Sequence, residues 1–145
     1  MKISILLPYK ENYTSNNAGA VSLFVNDMNR ESSFKETTQI FGNTASQERL
    51  SKNYINLDLN KKIFQSTSKQ YIETFLAYHK DINSDLIEIH NRPNYIKQII
   101  STYKNALILF FHNDPLSMNG SKTIKERLFL LNNIDKIIFN SNWSK

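Results

Sequence analysis

The chain has 145 residues, 40% of them apolar and 12% aromatic, with 18 Lys and Arg against 13 Asp and Glu and no cysteine. That length and apolar share suit one ordinary domain with a real core, and the missing cysteine excludes disulfides, thiolate catalysis and cysteine-ligated zinc. The net charge of +5 is spread along the chain without a dense basic block, so it marks no nucleic-acid footprint, only solvated lysines or a weak attraction to anionic surfaces.

In chain order, short apolar runs alternate with helical patterns, the signature of βαβ units and a parallel sheet. "KISILLP" (2 to 8) reads as a first buried strand closed by Pro8. It is too short for a secretory h-region, and no run approaches a membrane span, so a cytoplasmic location is expected. After a polar loop, Ala18, Val21, Val25 and Met28 make one helical stripe. "ETTQIFG" (36 to 42) is a second strand ended by Gly42, and the alternation of "NYINLDL" (53 to 59) suits a short edge strand.

Residues 67 to 80 put Ile72, Phe75, Leu76 and His79 on one helical face, with Ser66 and Ser68 as candidate caps. His79 and the aromatics Tyr71, Phe75 and Tyr78 are read as core or boundary residues. "DLIEIH" (85 to 90) is the next strand, and Pro93 suits the first turn of a helix carrying Ile96, Ile99, Ile100 and Tyr103. "ALILFFH" (106 to 112) is the most hydrophobic strand, expected to be central because strands covered on both faces read as continuous apolar runs. Ser121 then caps a helix with Ile124, Leu128 and Leu131, before a last strand, "DKIIFNS" (135 to 141). The whole chain, 1 to 145, reads as a single α/β domain: a Rossmann-like three-layer sandwich with a mostly parallel sheet.

Ligands of open parallel sheets bind beyond the carboxyl ends of the strands. Three ends here are polar. The first strand leads to "PYKENYTSNNAGAVS", where Gly19 sits at the start of a helix whose unpaired amides could face a phosphate or hydroxyl. This is short of a full GxGxxG fingerprint. The second end supplies His90, Asn91 and Arg92, and the third His112, Asn113 and Asp114. A histidine there can donate to a sugar hydroxyl or stabilise developing charge, and a neighbouring Asp or Asn can orient it. Two histidines with Asp114 fall short of a metal site, and no G-x-S-x-G elbow is present.

These segments together, "NNAGAVSLFVNDM", "IEIHNRP", "LILFFHND" and "ERLFLLNNIDKIIFNSNWSK", resemble the N-terminal domain of GT-B glycosyltransferases of group 1 (glycosyltransferase family 4). The likeness spans nearly the whole chain and is most specific from 106 to 145. It implies the acceptor-side half of a retaining enzyme that moves a sugar from a nucleotide-sugar donor to a glycan or lipid-linked acceptor, with no metal or other cofactor. It implies Gly19 and Ala20 near the donor phosphates and acceptor, and His112 as the catalytic histidine reaching the donor sugar. His90, Asn91, Arg92, Asn113 and Asp114 would line the acceptor side. The nucleotide-binding C-terminal domain would be a missing partner, and the isolated chain would transfer little or no sugar. Such a basic domain could touch the inner membrane face in the synthesis of cell-envelope glycans. A stand-alone ligand- or protein-binding α/β module is the alternative.

Overall fold

The computed structural model describes residues 1–59 and 64–141. Six strands are joined in one sheet: β1 (Ile3–Leu6), β2 (Thr38–Gly42), β3 (Tyr54–Asn56), β4 (Leu86–His90), β5 (Ala106–Phe111) and β6 (Lys136–Phe139). Their spatial order is β3-β2-β1-β4-β5-β6, and every neighbouring pair is parallel. The helices are α1 (Ala20–Glu31), α2 (Thr67–Ile82), α3 (Ile96–Ile99) and α4 (Ile124–Asn133). The fold is thus an α/β Rossmann-like sandwich, all of its strands parallel, with the strand order switching direction between β1 and β4, where ligands of such sheets settle.

Because side chains alternate along a strand, the two sheet faces have different cores. On one, Leu6, Phe41, Ile87, Ile89, Leu109 and Phe111 meet Tyr71, Ile72 and Phe75 of α2, Ile96 and Ile99 of α3, and Leu130 of α4. On the other, Ile5, Leu7 and Ile40 meet Tyr13 and Val21 and Val25 of α1, with Phe24 of the same helix packed against them. His79 belongs to the interior, packed against Phe75 and Tyr103, whereas Tyr78 is exposed.

Several boundaries differ from the sequence expectation. The second strand starts at Thr38, because 35–37 form a 3-10 turn. The β3 edge is only three residues long; Gly42 lies beside it, where a Cβ would strike the Tyr54 phenol. β5 lies one strand in from the edge, between β4 and β6. The helix after Pro93 is a 3-10 turn plus one α-turn ending at Ile99; Tyr103 lies past it, yet is buried, its hydroxyl donating to Ser84 O.

Capping chemistry decides two more points. Ser66, not Ser68, caps α2 by accepting from Lys69 N, while Ser68 lies inside the helix. Thr123, not Ser121, caps α4. It forms a reciprocal capping box with Glu126, and Ser121 is instead buried, donating to Pro115 O. With that start, α4 turns Leu130 inward and leaves Ile124, Leu128 and Leu131 exposed by 70%, 54% and 66%. The stripe expected to be core therefore faces away from it. Met28 is similarly exposed on α1, and Ala18 precedes that helix. Residues 142–145 of the motif-bearing stretch lie outside the described residues.

Candidate functional site

β4 and β5 run in register with His90 opposite Phe110, so Glu88, His90, Phe110 and His112 all project from the α1 side of the sheet. The spacing brings the two histidines into contact: His90 Nδ1 lies 2.7 Å from His112 Nε2. His90 is fully buried, stacked on Phe110 and His112 at ring separations of 5.5 and 5.1 Å. Phe24 of α1 meets His112 edge-on at 4.8 Å and seals the cluster from above.

Glu88 Oε1 approaches His90 Nε2 to 2.7 Å, but off the line of the ring N–H, a close polar contact and not an aligned hydrogen bond. A carboxylate there favours the His90 tautomer with its proton on Nε2. His90 Nδ1 then accepts, His112 Nε2 donates, and His112 Nδ1 is left as the acceptor that the cluster can present to a ligand. Burial, then the adjacent His90 ring, pull the His112 pKa down from 6.5 to about 4, with Glu88 opposing them. At neutral pH His112 is therefore an uncharged imidazole.

Asn91 fixes the geometry. It adopts a left-handed backbone (φ 51°), which Asn tolerates better than most residues, and its Oδ1 accepts from His112 N at 2.8 Å and Asn113 N at 3.3 Å. Asn140 Nδ2 donates to His112 O from the end of β6. Of the other expected residues, Arg92 is half-buried with its guanidinium on Asn91 O, and Asn113 is exposed. Asp114 is spent on capping the 115–117 turn through Leu116 N. His90, Asn91 and His112 are thus drawn into one cluster, while Arg92, Asn113 and Asp114 ring its outer edge.

The first strand end differs in one respect. Gly19 is the N-cap of α1, but a carboxylate already lies there: Ser22 N donates to Glu11 Oε1 at 3.2 Å, and a Cβ on Gly19 would collide with that carboxylate. Ala20 is exposed beside it. The helix end that could cradle a phosphate holds the chain's own anion.

Sequence reasoning missed Glu88 and Phe24, although strand alternation places Glu88 on the face of His90 two residues on. It also missed a polar cleft of 650 Å³ beyond β1, β2 and β3, whose walls include Lys10, Asn43, Thr44, Arg49, Asn56 and Asp58. Arg49 is held in it by Thr44 O and by the face of Tyr54, 4.9 Å away. Loop residues from three segments meet there, so no local pattern announces it. Among the described residues, no three His, Asp or Glu side chains converge to hold a metal.

Fold and edge together define a GT-B-like α/β domain with its polar groups at the carboxyl ends of parallel strands. Sucrose-phosphate synthase from Thermosynechococcus elongatus is similar over 94% of this chain and 42% of its own, with 14% identity and a TM-score of 0.64. A second structure of that enzyme matches 97% of this chain and 77% of its own, at 14% identity and a TM-score of 0.60. The chain spans less than half of the first of these, and at this identity the likeness is one of fold. No protein-family model matches the chain, and no curated protein matches it.

Proposed function

We propose that the chain is the acceptor-side half of a retaining glycosyltransferase, acting with a second, nucleotide-binding domain on a nucleotide-sugar donor. The observation that carries this reading is the Glu88–His90–His112 array, at the strand ends beside the point where the strand order switches. A neutral His112 with a free Nδ1 lone pair accepts a hydrogen bond from a sugar hydroxyl without bringing a charge of its own. Glu88 and His90 hold that ring in one tautomer, so its orientation needs no rearrangement when the donor arrives. The amides and cations of the 650 Å³ cleft suit a hydroxyl-rich acceptor. Donor phosphates reaching Gly19 and Ala20 would displace the Glu11 carboxylate from the α1 N-terminus.

The test is sugar transfer by the protein that carries this domain, using a panel of nucleotide sugars. His112→Ala is expected to lower turnover at least about a hundredfold, the range set by loss of one positioned polar group at a reacting centre. Thermal unfolding should stay close to the parent. Full turnover in that variant would remove His112 from the chemistry.

Glu11 favours a second reading, a binding module without catalysis, because an anion site already filled by the chain has no need of a diphosphate. Direct titration separates the two. The transferase reading expects uridine or adenosine diphosphate sugars to bind and to perturb the His112 ring resonances, whereas the module reading expects neither.

A further inference from the structure

Helix α4 turns an aliphatic face to solvent. At 100° per residue, Ile124, Leu128 and Leu131 fall within an arc of about 60°, its centre about 130° round the helix from Leu130, which docks the helix on the core. The arc is bordered by Lys125 on one flank and Arg127 on the other, with Lys122 at its start and Lys136 just past its end. Lys122, Lys125 and Lys136 are exposed and, among the described residues, enter no ion pair, while the half-buried Arg127 keeps its charge but donates its guanidinium N–H to Ser121 O and Lys122 O. The nearby acids are engaged elsewhere. Glu126 closes the capping box, where the Thr123 N–H and hydroxyl hold its carboxyl below the usual range, and Asp135 accepts from Leu107 N.

We propose that α4 is a membrane-contact helix that lies in the headgroup region of an anionic bilayer, with Ile124, Leu128 and Leu131 entering the acyl boundary and the exposed Lys122, Lys125 and Lys136 on lipid phosphates. An exposed aliphatic stripe edged by cations on both sides is the pattern of an interfacial helix. Charge selects this occupant. A second copy packed stripe to stripe would bring Lys125 and Arg127 against their own kind, and a nucleic acid has no use for three aliphatic side chains. The surface goes beyond the transferase reading and does not depend on it, since α4 lies on the sheet face opposite His112. Among the described residues no helix is long and apolar enough to cross a membrane, so contact would be in the plane of the surface.

The test is flotation of the 145-residue chain with vesicles of phosphatidylcholine mixed with phosphatidylglycerol, against vesicles of phosphatidylcholine alone. Binding is expected to the mixed vesicles, with salt weakening it. Leu128→Ser should cut it about tenfold, and Lys125→Glu about fivefold or more, the scale of one buried aliphatic side chain and one juxtamembrane charge. Both positions are exposed, and unchanged melting curves would show that the fold is intact. Three results would overturn the proposal: no flotation of the parent chain; flotation indifferent to both substitutions; or a stripe-dependent self-association without vesicle binding.

Discussion

The two faces of the sheet divide stability from chemistry. Toward α2, α3 and α4, the inner strands present Leu6, Ile87, Ile89, Leu107, Leu109 and Phe111, all apolar and nearly or wholly buried. Toward α1, the same strands present Ile5 and Leu7 but then Glu88, His90, Phe110 and His112, under a single helix. Since alternate residues of one strand serve opposite faces, a change at position 109 and a change at position 112 should be felt in different observables.

The largest effect that would break this division is Leu109→Ala. Truncating a fully buried leucine is expected to lower unfolding free energy by about 2–5 kcal/mol, measured by urea denaturation, while His112→Ala costs much less stability. A Leu109→Ala protein as stable as its parent would mean that the covered face is not the structural one.

The next effect is a pH dependence. The native state disfavours protonated His112, whereas the unfolded ring titrates near 6.5. The unfolded chain therefore binds more protons in this window, and stability should fall as pH drops from 6.5 towards about 4, then level off with respect to this group. Burial lowers the His79 pKa in the same direction, so some acid sensitivity should survive in His112→Gln, with a shallower slope. Equal slopes in parent and variant would show that His112 is not held neutral.

Smaller still, Thr123→Ala removes the capping box of α4 and should cost about 1 kcal/mol in the same urea experiment. Ser121→Ala makes a useful contrast, because its buried hydroxyl serves the 115–117 turn and not the helix end. The smallest change sharpens the chemical face. Glu11→Gln should alter stability by only a few tenths of a kcal/mol, in the range of exchanging one partner at a helix N-terminus, yet tighten diphosphate binding at α1. Unaltered diphosphate affinity would separate that helix end from any anion site.

The strands and their parallel arrangement were legible because continuous apolar runs such as 106 to 111 leave little choice, and because polar residues gather where those runs stop. Helix faces were less legible. Ile124, Leu128 and Leu131 satisfy the periodicity of a buried stripe, and periodicity cannot tell a face turned to the core from one turned away from it. The capping box at Thr123 and Glu126 was readable as a helix start and would have moved the N-terminus by two residues. His90 and His112 were legible as strand-end residues, but not their mutual contact. That contact follows from the β4–β5 register, which pairs His90 with Phe110 and which neither segment contains by itself. Glu11 over the α1 N-terminus was hidden for a related reason, since it required the fold of the intervening loop.

Asn91 carries a consequence for motion. Its side chain takes the amides of His112 and Asn113, and its own N–H donates to Phe110 O, so the loop after β5 begins as though the strand continued. In hydrogen exchange, the His112 and Asn113 amides should behave like ladder amides and not like those of a surface loop, opening only when β4 and β5 separate. The histidine cluster would then be as slow to open as the ladder between β4 and β5 that carries it.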